Sequence, residues 1–413
     1  MASQSTPTSS APTLDLSRWR KAPVIAIGVG ALFMVIGLLV AGRQGSEVLQ
    51  RQFGFSWLTA FMFFLSIAMG GLFLTLAHHL FDASWSVPIR RTTEHLACLA
   101  LPLFFLFVPV AWLAPKIWTW MNMVTPDHAL HAKSAMLNKP FWYVRYVIYF
   151  VVWCGLAFSL RKLSVAQDKD GAAKWTFKMR AVSSVGIFLF AFTVTSAAID
   201  WMMALQHQWF STMYGVIYFA GSVWMTLATV YVIVLMRRNI GELRGVLFPT
   251  HFYYIGSLLL AFTVFYAYVH FSQYFIIWNA NMPEETFWYK SREQGTWWWV
   301  GMVIIFGHFF VPFLTLLRID FKLKLAIMAP LAIWAWLMHY MDLAFNILPA
   351  LHPQNYAPHW MDVGSFLLIG GILAIVFLRS LKTSAPYPLR DPRLKESLTS
   401  HELPAAEPAE AAH

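Results

Sequence analysis

The sequence predicts an all-α polytopic membrane protein with ten transmembrane helices. Composition is the first reason: of 413 residues, 58% are hydrophobic and only 12% charged, with mean hydropathy +0.56, whereas a soluble domain is about 25% charged. Patterning is the second, because the apolar residues fall into runs of bilayer length. The net charge of +10 does not point to nucleic acid, since membrane proteins concentrate Lys and Arg in cytoplasmic loops. The two cysteines, Cys98 and Cys154, both lie in apolar runs without CxxC or CxxCH. Iron–sulfur, c-type haem and thiolate zinc sites are therefore not expected in this chain.

Taken in order, residues 1–20 are expected to be a disordered cytoplasmic tail with no signal peptide. A membrane domain over 21–381 then holds spans at about 22–42, 54–80, 92–114, 141–161, 179–200, 212–236, 251–279, 297–318, 323–348 and 361–381. Pro102, Pro109 and Pro312 should bend spans 3 and 8. Residues 382–413, polar and rich in Pro, Ala and Glu, are expected to be a flexible cytoplasmic tail. With the N-terminus inside, cytoplasmic segments carry 22 Lys and Arg and outer loops seven, Arg145 lying within span 4. That asymmetry places both termini in the cytoplasm. Trp112, Trp118, Trp120, Trp142, Tyr143, Trp201, Trp209, Trp288 and Trp297 are expected to form an outer interfacial belt.

The most informative stretch is Phe262 to Trp299, an apolar helix that carries His270 and Gln273 and breaks at Asn279 to Pro283. Pro283 then opens a short helix with Glu284 and Glu285 in its first turn. At roughly 1.5 Å per residue, His270 lies about 28 Å, and His339 about 25 Å, from the inner start of its span. Asp200 ends span 5 in the same outer layer. Three stripes share helix faces: Thr193, Ser196 and Asp200; Tyr266, His270 and Gln273; His339, Asp342 and Asn346. Ionisable groups inside a membrane mark pathways or ligand sites. Asp200, Tyr266, His270, Gln273, His339 and Asp342 are therefore expected to line one outer cavity for proton transfer or quinone headgroup binding. His79, Arg91, Glu94, His95 and His308 are read as proton uptake from the inner side, against ordinary interfacial anchoring for the cluster at residues 78–95. A bis-histidine haem is not expected, because His270 and His339 form one pair where a transmembrane cytochrome usually offers two.

Asp200-Trp201, Trp209 to Gly215, AFTVFYAY, FSQYFIIWNANMPEETFWY, Met338 to Asp342 and Trp360 to Gly364 carry a resemblance that runs from span 1 to span 10. The chain resembles the F subunit of alternative complex III, the bacterial quinol:cytochrome c oxidoreductase, and is similar to the NrfD-like membrane anchors of polysulfide reductase. The resemblance implies two four-helix bundles, spans 2–5 and 6–9, with a flanking helix at each side. It implies no covalently bound cofactor, metal or haem, with quinone or quinol as the ligand in view. Multihaem cytochrome c subunits, an iron–sulfur subunit, a homologous C membrane subunit, small membrane subunits and lipids would be the partners. The expected function is quinone binding, proton conduction or both in the respiratory chain, with redox centres in the partners. A secondary transporter and a purely structural anchor are the alternatives.

Overall fold

The computed structural model describes residues 17–399, and all regular secondary structure among them is helical. Nine of the described helices are long and apolar enough to cross a membrane. They are Trp19–Gly42 (span 1), Ser46–Phe81 (span 2), Lys139–Asp170 (span 4), Ala173–Gln206 (span 5), Tyr214–Asn239 (span 6), Pro249–Ala280 (span 7), Gly295–Leu317 (span 8), Leu325–Ala350 (span 9) and Trp360–Thr383 (span 10). Span 3 joins Val87–Leu106 to Val108–Ile117 through a 56° bend. Proline causes that bend, since Pro109 lacks the N–H that would donate to the Phe105 carbonyl. Span 8 answers its own proline differently. Pro312 leaves the His308 carbonyl without an i+4 donor, and the preceding residues Ile305–Phe310 widen into a π-helical turn. The chain is an all-α, multi-pass membrane protein.

Span 2 is the centre of the molecule, packing on spans 3, 5, 6, 9 and 10 and buried along most of its length. Spans 2–5 form one four-helix bundle and spans 6–9 another, joined mainly along spans 2 and 6. The expected flanking helix at each side is corrected here, because spans 1 and 10 pack against each other on the same side of span 2. Small residues make that pairing possible. A Cβ on Gly364 would lie 2.8 Å from the Met34 nitrogen, and one on Gly30 2.8 Å from the Leu368 nitrogen.

Two further expectations change. The tryptophans expected to form the belt do not face outward as a set: Trp118, Trp142, Trp201, Trp209 and Trp297 are fully buried, Trp120 and Trp288 nearly so, and of that set only Trp112 is broadly exposed, whereas Trp278, Trp298, Trp299 and Trp360, outside it, are exposed. Far-end loops fold over the helix ends and close around these rings. Trp209 stacks on Trp288 at 4.7 Å and donates to the Glu285 carbonyl, while Trp297 donates to the His352 carbonyl. Residues 384–399, expected to belong to a flexible tail, cross the end of the bundle from which spans 1 and 10 extend, called the terminal end below. There Asp391 and Ser397 are buried. Likewise Ser17 to Arg20 already belong to the first helix and Lys382 and Thr383 to a short helical turn, while residues 1–16 and 400–413 of the two expected tails lie outside the described residues. The short helix Pro283–Lys290 starts on Pro283 with Glu284 and Glu285 in its first turn, as expected.

Candidate functional site: a buried polar pocket between spans 2, 6, 7, 8 and 9

The stripe on span 9 faces inward, with His339, Asp342 and Asn346 all buried. Asn346 donates to the Asp342 carbonyl at 2.8 Å and to Asp342 Oδ1 at 3.2 Å, and accepts from the Tyr214 hydroxyl at 3.2 Å. His339 Nε2 meets Ser66 Oγ at 2.9 Å. Because that hydroxyl donates to the Phe63 carbonyl at 2.6 Å, its oxygen accepts. His339 is thereby fixed as the Nε2–H tautomer with a bare Nδ1. The ring fits because Gly221 lies opposite, where a Cβ would sit 3.1 Å from His339 Cε1.

Span 7 supplies the second wall. His270 Nε2 stands 3.9 Å from Asp342 Oδ1, and its side chain is 29% exposed on the outer flank of the bundle. The Tyr266 hydroxyl points toward Asp342 without closing a hydrogen bond of ordinary geometry. Its ring lies between those of His270 at 4.3 Å and His308 at 3.9 Å, and His308 stacks in turn on Trp224 at 4.0 Å. The π-turn of span 8 holds His308 in that sandwich.

Five buried polar atoms here have no hydrogen-bond partner: Tyr266 Oη, His270 Nε2, both His308 nitrogens and His339 Nδ1. Buried polar groups are normally satisfied by protein or water. Beside Asp342 and His339, between Tyr214, Tyr218 and Asn346, lies a cavity with room for about one water molecule. Asp342 and His339 line that hydratable space, and the His270 imidazole, the Tyr266 phenol and the His308 imidazole stack beside them. Those are groups that exchange protons.

Not every expected residue belongs to it. Asp200 is engaged elsewhere, in the bundle of spans 2–5, where Arg145 binds it through two nitrogens at 2.6 and 2.7 Å and Tyr149 donates at 2.6 Å. That closed ion pair removes Asp200 from the proposed common cavity. Gln273 sits further toward the far end, bonded to Ser211 at 2.5 Å and Tyr289 at 2.8 Å. His308, read as part of an inner route, instead joins the pocket.

The cluster at residues 78–95 is an interior ionic network and not a set of interfacial anchors. Arg90, Arg91, Glu94, His78, His79 and His95 are all buried. Glu94 pairs with Arg90 at 3.3 Å and Arg91 at 3.0 Å, Arg91 also pairs with Asp168, and Arg161 reaches His95 at 2.5 Å. Buried charges persist only when paired in this way.

Sequence reasoning missed Ser66, Gly221, Tyr214 and Arg292. Arg292 is 2% exposed and lies 3.6 Å over the Trp288 ring. It donates to the Phe345 carbonyl at 3.0 Å and the Asn346 carbonyl at 3.2 Å, the unpaired acceptors at the end of the helix that carries Asp342. Burial pushes its guanidinium down to about 9, still above neutrality, so a positive charge braces this helix end. An isolated arginine outside any stripe gave no signal for that role. Among the described residues, no group of three or more His, Cys, Asp or Glu is placed to hold a metal ion. Compared with known proteins, the sequence matches no family model and no curated protein.

Proposed function

We propose that the chain is a membrane subunit of a bacterial quinol:cytochrome c oxidoreductase of the alternative complex III type, and that its buried pocket transfers protons. On this reading it lies in the bacterial cytoplasmic membrane with both termini inside. Cytochrome c, iron–sulfur and further membrane subunits are its partners and carry the redox centres. The identity of the complex rests on the sequence resemblance. Proton transfer rests on one observation: Asp342 and His339 line a water-sized space, His270, Tyr266 and His308 pack beside them, and five buried polar atoms of this group are unpaired. Polar groups are expensive inside a membrane protein, and a purely structural network would have satisfied them.

Quinone binding enters at one place in this reading. The interior space holds about one water and no ring, whereas His270 is partly exposed on the outer flank of the bundle. A quinol headgroup would meet the pocket there and hand its proton to His270. Against a secondary transporter, the bent span 3 and the π-turn in span 8 occupy non-equivalent places in the two bundles, whereas transporters break helices at corresponding positions.

Isolation of the chain from its own membranes in mild detergent tests the assignment. Stoichiometric c-type haem absorbance and an iron–sulfur subunit should co-purify. A chain that purifies alone, from membranes in which it is intact, would contradict it.

A further inference from the structure

Residues 384–399 make polar contacts with both bundles. The Leu389 N–H donates to Asp168 on span 4 at 2.9 Å, and Arg237 on span 6 donates to the Pro386 carbonyl at 3.0 Å. Asp391 accepts from Arg90 on span 3 at 2.5 Å. Arg393 donates to Asp82, just beyond span 2, at 2.9 Å and also pairs with Asp391 at 3.1 Å. Ser397 meets His251 on span 7 at 3.1 Å. The segment thus lies across the ends of five spans and is held by ion pairs and hydrogen bonds, with Tyr387 and Leu398 packed on the apolar core and Leu389 half exposed.

His79 adjoins His78, whose Nε2 lies 2.9 Å from the same Arg90 that holds Asp391 of the segment. His79 is 1% exposed, and neither of its ring nitrogens has a hydrogen-bond partner. The charges of Arg90, Arg393 and Asp391 all act on it, so two of the three come from that segment. An imidazole with both nitrogens bare, buried beside paired charges, needs water or a proton-exchanging partner. Among the described residues, the chain-end segment at this position is tied down by ion pairs and hydrogen bonds together with Tyr387 and Leu398 packed on the core, and a segment with few apolar contacts opens more readily than a core element.

We propose that residues 384–399 are an ion-latched lid over a second buried titratable site centred on His79, and that opening of this lid admits water and protons to it. Asp391 is the inner latch through Arg90, and Arg393 the outer latch through Asp82. The inference does not depend on the pocket around Asp342 or on the proposed complex. It assigns the strap a role in access, beyond tying the bundles together.

Thiol accessibility tests it directly, in native membranes opened to both faces. In a Cys98→Ser/Cys154→Ser background, His79→Cys is exposed to a membrane-impermeant maleimide with the lid intact, then combined with Asp391→Asn or Arg393→Gln. Labelling should be slow with the lid intact and rise on the order of tenfold when a latch is removed, while His308→Cys stays protected in every background. Arg393→Gln removes the Asp82 contact and one partner of Asp391 but spares the Arg90–Asp391 pair, so it decides the matter if Asp391→Asn impairs folding. Rapid labelling of His79→Cys under an intact lid would overturn the proposal. So would an unchanged rate in Arg393→Gln, or equal gains at positions 79 and 308, which would report general loosening.

Discussion

His270 Nε2 and Asp342 Oδ1 lie 3.9 Å apart, on spans 7 and 9. That separation exceeds a hydrogen bond, yet one water or a small turn of the imidazole closes it. Asp342 is held on its other side by Asn346, so His270 is the freer partner. On the proposed reading, a proton passes between this fixed carboxylate and the partly exposed imidazole without movement of either helix.

Gly221→Ala should crowd that arrangement. The added Cβ would press on His339 Cε1 at 3.1 Å and approach Tyr266 at 3.7 Å, and overpacking of this kind costs about 1–3 kcal/mol. The chain should still insert and assemble, with lowered thermal stability and slowed proton-coupled turnover. Wild-type turnover in the alanine variant would show that the His339 ring position is not critical.

The Arg145–Asp200 pair is expected to be structural. Arg145→Gln leaves a buried carboxylate without its partner, a loss of about 3–5 kcal/mol. Melting of the detergent-solubilised protein should fall, and the pH profile of surviving activity should keep its shape. A shifted profile at unchanged stability would return Asp200 to the proton route.

Much of this was legible in the sequence, and the exceptions have physical causes. The apolar stretches and the bend of span 3 follow from composition and from the missing proline N–H, whereas span 8 takes up Pro312 in a π-turn where a bend was expected. The stripes on spans 7 and 9 follow from helical spacing, and they do meet. Depth along a helix, however, does not reveal the face of a neighbour. Asp200 shares the expected layer with Asp342 but turns to Arg145, a residue visible within span 4 whose partner no spacing rule identifies. Tryptophans near a predicted boundary read alike whether lipid or a folded-over loop covers them, which is why Trp118, Trp201 and Trp209 were misplaced. The strap was invisible because polar segments held by ion pairs carry no apolar period.

The Asp391 latch should be insensitive to pH across the physiological range. Burial pushes its carboxyl up, but the charges and hydrogen bonds of Arg90 and Arg393 outweigh it and hold it at about 2. A carboxylate depressed from about 3.9 contributes roughly 2–3 kcal/mol that is fully present above the unfolded value and lost as pH falls through the folded one. His78 and His79 face the same cluster. Hydrogen exchange of residues 384–399 should stay slow, after correction for intrinsic rates, from neutral pH down to about pH 4. Release of the strap between pH 5 and 7 would mean that a histidine controls it.

Orientation has its own check. The 22-to-7 distribution of Lys and Arg predicts that a reporter joined to the C-terminus reads as cytoplasmic. One inserted between residues 207 and 210 should read as periplasmic. Reversal of either result would break the ten-span topology.

The most direct measurement is proton translocation by the intact complex carrying Asp342→Asn. The amide keeps the side chain's shape while removing its ionisable proton, so subunit and haem content should match wild type. Quinol oxidation or the protons released per electron should fall markedly, on the order of tenfold or more, the scale on which positioned proton-transfer groups act. A fully assembled complex with both quantities at wild-type values would contradict the proton-transfer reading and leave the pocket a structural feature.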